Sequence, residues 1–221
     1  MKYLFTDNTR GSSAGVFLSR NFGDHVGDDA QSVARVRSDL SLEVGAPVLF
    51  MEQIHGERVA VVNQHNGPVA STDALITQSP GLALAVMVAD CIPLLLRNET
   101  SVAAVHVGRR GLMNGISTKV IKTMRSLDSS PITAVVGPAI CKNCYEVSED
   151  VFFQVTSKYP HAAALSGRGN YTLDLVGVLI DELRLDDIAV QNESSCTVET
   201  PTLYSYRRDG VTGRQVGVIW L

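Results

Sequence analysis

Apolar residues along this chain gather in short runs separated by Gly, Pro, Asn and Ser, the signature of strands bounded by turns. The runs that predict strands are "VLFMEQI" (48–54), "RVAVVN" (58–63), "DALIT" (73–77), "LALAVMVA" (82–89), "IPLLLR" (92–97), "SVAAVHVG" (101–108), "ITAVVG" (132–137) and "RQVGVIWL" (214–221). Helical spacing, with apolar residues near i, i+3 and i+4 and a polar opposite side, predicts helices over 29–40, 112–127, 148–158 and 174–185. Asp28 and Asp29 stand where they can cap the first of these. Strands come in consecutive groups instead of alternating strictly with helices, so the pattern favours an α+β fold over a doubly wound sheet. The segment 161–171, "HAAALSGRGNY", reads as a mobile surface loop, and no repeat or linker interrupts the chain, so 1–221 reads as one domain.

Composition narrows the function classes. A chain of 221 residues that is 45% hydrophobic can build a substantial core. Its net charge of −4, with scattered Lys and Arg, offers no basic stripe for a phosphate backbone, which argues against nucleic acid as a partner. The apolar runs are too short to span a bilayer, and the first residues carry neither a secretory nor a transit pattern. A cytoplasmic location is expected, where Cys91, Cys141, Cys144 and Cys196 would be thiols available as ligands or nucleophiles.

Alternation within "SVAAVHVG" places Val102, Ala104 and His106 on one face, so His106 points where small residues leave room. Cys91 stands at the end of the preceding apolar run before Pro93, and His55 ends "VLFMEQI" before a Gly; both read as strand-end positions. Two imidazoles and a thiolate at strand ends suit a zinc with an open fourth position. The same atoms suit a Cys91–His106 nucleophile and base dyad oriented by Asp90 or another carboxylate, and the bland alternative is a buried thiol with hydrogen-bonded strand-end histidines. A weaker pattern pairs "HGE" (His55, Glu57) with "CKNC" (Cys141, Cys144) in imitation of a nucleobase-deaminase zinc signature, although Ile140 stands where that signature has Pro. Arg207, Arg208 and Arg214 cluster in "YSYRRDGVTGRQVG", and Arg110 lies in "GRRG"; each suits phosphate or carboxylate, or else a charged turn. Asp73 supplies a further carboxylate, while His65 and His161 read as surface turn residues.

Taken in order, "EQIHGERV", "TDALIT", "ADCIPLLL", "AAVHVGRRGL", "VGPAICKNCYEV", "LDL" and "YSYRRDGVTGRQVGVIWL" resemble the laccase-domain proteins. That family was long labelled multicopper polyphenol oxidoreductases and is now regarded as zinc-dependent purine nucleoside phosphorylases with adenosine deaminase activity. The resemblance covers nearly the whole chain. It implies mixed sheets packed between helices, similar to a toxin deamidase with a Cys-His dyad, and it makes His55, Cys91 and His106 the metal ligands. Two departures stand out: Arg109 replaces the family's Trp, and Cys141 replaces its Gly.

The resemblance further implies phosphorolysis of adenosine, inosine or guanosine type nucleosides, with methylthioadenosine as a further candidate. The expected partners are therefore a nucleoside and phosphate. Arg110 with Arg207, Arg208 or Arg214 would complete an anion site, Gln53 joins the substrate-binding set, and one of Asp73, Asp90 or Glu52 would shuttle a proton. Asp90, next to a ligand, is expected to orient a ligand or a turn. Four-copper oxidation needs roughly ten imidazoles, and this chain has five; copper is left as an alternative occupant of the His-Cys-His site. The rival readings are a Cys-His hydrolase acting on a cell-wall precursor amide and a zinc-binding homologue with altered catalysis.

Overall fold

A computed structural model describes Met1–Leu221. In chain order the elements are β1 (Lys2–Phe5), α1 (Ala30–Val44), β2 (Val48–Leu49), β3 (Val59–Val61), β4 (Ala74–Thr77), β5 (Ala83–Val88), β6 (Ile92–Arg97), β7 (Val102–Val107), α2 (Arg109–Met113), α3 (Ile116–Leu127), β8 (Thr133–Val136), α4 (Glu149–Lys158), β9 (Ala163–Leu165), β10 (Tyr171–Leu173), α5 (Leu175–Leu185), β11 (Ala189–Asn192), α6 (Tyr206–Asp209) and β12 (Gln215–Trp220). One sheet has the order β1-β12-β5-β2 and the other β11-β8-β6-β7-β4-β3; β9 and β10 form a separate hairpin. Both larger sheets mix parallel and antiparallel pairs, the parallel ones being β2 with β5, β3 with β4 and β8 with β11.

The period-2 alternation of each strand decides the layering. In β7, Ala103, Val105 and Val107 join Leu94 and Leu96 of β6 beneath α3 and α5, where Val120, Met124, Val178, Leu179 and Leu183 complete the largest apolar cluster. Val102 and Ala104 point the other way and meet Leu84, Val86, Val88 and Ile219 of the four-stranded sheet. The outer face of that sheet is covered by Val36 and Leu40 of α1. The result is helix, sheet, sheet, helices. Being covered on both faces, β5, β6 and β7 read as near-continuous apolar runs. Each fully buried Leu or Val there contributes roughly 1.5–3 kcal/mol of transfer free energy.

The α+β class and the helix-covered mixed sheets are as expected, and the boundaries differ where tertiary contacts intervene. The helix expected over 112–127 is two helices, because Gly115 adopts φ +73° and breaks the hydrogen-bond ladder between α2 and α3. The run 48–54 keeps ladder pairing only at Val48–Leu49, with an isolated bridge at Met51. The segment expected to be a mobile loop contributes β9, which pairs antiparallel with β10. Edge strands β1 and β11 lack an alternating pattern of their own and are held by their neighbours β12 and β8. Asp29 does cap α1, accepting a hydrogen bond from the Ser32 N–H at 2.8 Å.

Two chain crossings matter for function. The chain leaves the four-stranded sheet at β5 and enters the other at β6 through only Ala89, Asp90 and Cys91. It makes the same passage between β2 and β3, and His55 lies on that connection. Both crossings open at one end of the sandwich, beside the end of β7 that carries His106.

Candidate active site

His106, at 3% exposure, is the last inward-facing residue of β7, directly opposite Pro93 in β6. Cys91 is thus not the end of a strand but the residue that precedes β6, and Pro93 lies inside β6. His55 sits in a bend at φ +59° and Asp90 at φ +95°. Left-handed backbone at such residues costs of order 1–3 kcal/mol and persists where surrounding contacts hold it. At His55 those contacts come from Asp73, whose buried carboxylate accepts from the backbone N–H groups of His55 (2.9 Å), Gly56 (2.7 Å) and Ile54 (3.3 Å). Asp90 is held in the same manner: its oxygens accept from Thr197 Oγ1 (2.6 Å), Ser205 Oγ (2.7 Å) and the Arg207 N–H (2.7 Å).

The sheet crossings bring His55, Cys91 and His106 together, with ligand atoms all within 4.8 Å of one another. Cys91 Sγ lies 3.7 Å from His55 Nε2, and the two imidazole rings meet edge-on with centroids 4.7 Å apart. Asp73 Oδ1 is 2.8 Å from His106 Nδ1, which fixes that ring and leaves Nε2 for the cluster. Gly108 closes the back of the site: a Cβ there would stand 3.0 Å from His55 Cδ2 and 3.1 Å from Cys91 Sγ. Charge is balanced within the group. Burial opposes the Cys91 thiolate, but the adjacent His106 and His55 outweigh it and bring the thiol down to about 6. Burial likewise opposes the His106 cation, and the Cys91 thiolate and Asp73 carboxylate reverse that, taking it up to about 9. A soft thiolate and two imidazoles, one backed by a carboxylate, are donors that fit zinc with one position left open.

The cluster opens into a cleft of about 350 Å³ whose walls include Met87, Ile140, Tyr145, Tyr206, Arg207 and Arg214. Neither Arg207 nor Arg214 is paired with a carboxylate: Arg207 Nη1 donates to the Glu146 carbonyl (2.7 Å) and Arg214 Nη1 to the carbonyls of Thr212 (3.0 Å) and Gly213 (2.9 Å). Burial lowers the pKa of Arg214, a sign of a cation held with little water. The Arg207 guanidinium also lies over the Tyr145 ring, 5.3 Å from its centroid.

Other residues singled out in the sequence are placed elsewhere. Arg208 faces away from the cleft, where Nη1 and Nη2 donate to the carbonyls of Thr197, Val198, Thr200 and Leu203 and its fork pairs with Asp209. Arg110 is exposed outside the cleft wall. Gln53 lines the cleft, but its amide is committed in both directions to the Met87 backbone, at 2.7 and 2.8 Å. Of the proton-shuttle candidates, Asp73 and Asp90 are filled by hydrogen bonds and Glu52 lies outside the cleft. Cys141 and Cys144 gather with Cys196 and Glu199 instead of with His55, so the deaminase-like pairing of "HGE" with "CKNC" does not form. His25, Tyr145 and Tyr206 line the cleft without having been singled out; only proximity in space reveals them.

The sequence model of the multi-copper polyphenol oxidoreductase laccase family matches residues 2–221. The chain belongs to this family. Its relatives include a purine nucleoside phosphorylase of Corynebacterium glutamicum, 42% identical over 232 residues, covering 100% of this chain and 94% of the relative. Another protein of that name, from Mycobacterium tuberculosis, is 38% identical and covers 100% of this chain and 92% of the relative. Among solved structures, the Neisseria meningitidis protein NMB0706 superposes with a TM-score of 0.89 at 36% identity, covering 99% of this chain and 93% of that one. Bacillus licheniformis YfiH gives 0.90 at 29% identity, covering 98% and 91%. The family's copper name meets a limit in this chain: its two clusters of candidate metal donors contain only two imidazoles between them, His55 and His106. No helix is long and apolar enough to cross a membrane.

Proposed function

We propose that this protein is a zinc-dependent purine nucleoside phosphorylase that also deaminates adenosine, with His55, Cys91 and His106 as the metal ligands. The observation that carries this reading is the convergence, in one cleft, of that donor triad with two guanidinium groups that form no salt bridge with a carboxylate. A bound zinc would supply Lewis-acid charge to the oxygen nucleophile. Arg214 and Arg207 hold the phosphate dianion against the sugar, and their charge persists as it attacks C1′ and the purine departs. Tyr145, Tyr206, Ile140 and Met87 give the base an apolar and aromatic wall. Asp73 fixes the His106 tautomer and the His55 backbone at once, so the triad keeps its shape as charge moves. With water in place of phosphate, the same cleft suits attack at C6 of adenosine. Purine nucleosides of the adenosine, inosine and guanosine type fit this chemistry, and the relatives' shared name supports it.

The experiment is incubation of the zinc-loaded protein with inosine or adenosine, with and without phosphate. Free base and ribose 1-phosphate that appear only with phosphate support the proposal, and Cys91→Ala should lose both zinc and turnover. A second reading has its own observation: Cys91, His106 and Asp73 also line up as nucleophile, base and orienting acid. Amide hydrolysis by metal-stripped protein, with nucleosides untouched, would establish that Cys-His hydrolase instead.

A further inference from the structure

A second group of soft donors lies outside the cleft. Cys141, Cys144, Cys196 and Glu199 offer ligand atoms that all lie within 4.8 Å of one another. They come from two turns with the same spacing, Cys141-x-x-Cys144 and Cys196-x-x-Glu199, which zinc-binding knuckles also use. The turns are held side by side by a parallel bridge between Ala139 and Cys196, with Ala139 N–H donating to the Ser195 carbonyl (3.1 Å) and Thr197 N–H to the Ala139 carbonyl (3.2 Å). We propose that these four residues form a second, structural zinc site, with three thiolates and one carboxylate around a tetrahedral ion.

A further feature fits a cation at this place. Cys144 Sγ is 3.4 Å and Cys141 Sγ 4.0 Å from Glu199 Oε1, so potential anions crowd one point, and the Glu199 carboxylate sits against thiols. A divalent ion would neutralise that crowding, with the thiol protons released on binding passing to solvent.

The site would brace the cleft without touching substrate. One turn carries Ile140 and Tyr145 of the cleft wall; the other leads through Thr197 to Ser205 and Arg207, which hold Asp90. Zinc at this position clips together two irregular loops for which sheet pairing supplies only a single bridge.

The test is zinc content of the full-length protein, purified under reducing conditions with zinc present. Two zinc ions per chain are expected in the native protein, one in Cys91→Ala and one in Cys141→Ser/Cys144→Ser. Cobalt-loaded Cys91→Ala should show thiolate-to-cobalt charge transfer and tetrahedral d–d bands. Loss of the second ion should lower the unfolding midpoint by about 5–10 °C. Because the double variant can fail to fold, Glu199→Ala gives an independent measure: the second zinc should pass to a chelator at least tenfold faster while the first is retained. A zinc-free Cys91→Ala, or a Glu199→Ala protein that releases both ions at native rates, would overturn the site. Neither result bears on the phosphorolysis reading, which rests on the other triad.

Discussion

Asp73 and His106 are the hinge of the candidate site: Oδ1 of one lies 2.8 Å from Nδ1 of the other, and both side chains are buried. The same carboxylate receives three backbone N–H groups from the His55 loop, so a single residue sets the orientation of one imidazole and the position of the second. Burial opposes the Asp73 carboxylate, but His106 and the Gly56 and Ile54 N–H groups outweigh it and lower its pKa.

Asp73→Asn keeps the volume but turns one oxygen into a donor facing N–H groups. Metal affinity should fall by about 10–100-fold, read as zinc loss to a graded chelator series. Turnover should fall with it and recover in part at saturating zinc. Unchanged affinity would remove Asp73 from the positioning role.

Metal-stripped protein should react with iodoacetamide at Cys91 with a midpoint near pH 6, followed by peptide mass spectrometry. An ordinary thiol, at 9.0, would titrate far higher. Zinc should protect. The stability signs oppose one another. Cys91, lowered on folding, contributes above pH 9 and loses its contribution as pH falls to about 6. His106, raised on folding from 6.5, contributes below that value and loses it as pH rises through about 9. Their proton counts nearly cancel, so this pair should add almost no pH slope to the unfolding midpoint of the metal-free protein across that window.

The adjacent arginines should separate cleanly. Arg207→Ala should raise the KM for phosphate about tenfold or more and shift the unfolding midpoint only slightly, since its exposed guanidinium gives up one carbonyl contact and its place over the Tyr145 ring. Arg208→Ala should cost about 2–3 kcal/mol of stability by stranding several carbonyls, with the phosphate KM nearly unchanged. Steady-state kinetics and thermal unfolding on both variants check this, and a reversed pattern would exchange the two roles.

Gly108→Ala should be a metal-site mutation although it introduces no polar group. The new Cβ would press on His55 Cδ2 and Cys91 Sγ at 3.0 and 3.1 Å, so one ligand must move. Zinc affinity is expected to fall by about tenfold or more for such a displaced ligand, measured by competition titration, with circular dichroism unchanged.

Much of this was legible in the chain. The alternation in 101–108 correctly separates the two faces of β7, and local periodicity carries that information because each strand buries both faces. His55, Cys91 and His106 were visible as donors, and the structure brings them together, although only His106 lies at the end of a strand: Cys91 precedes β6 and His55 sits between β2 and β3. What sequence left open was partnership: Asp73 rather than Asp90 backs the imidazole, and Arg208 braces a turn while Arg207 and Arg214 face the cleft. Cys141 and Cys144 gave no indication that Cys196 and Glu199 would join them.

Periodicity, turn residues and the identity of the donors are properties of neighbouring positions, and these the sequence by itself determined: an α+β chain of buried strands with thiol and imidazole donors in or between them. Which donors meet depends on where the chain crosses from one sheet to the other, at 50–58 and 89–91, and on how the two sheets stack. That is set by burial of side chains far apart in sequence, so only the tertiary structure decided it.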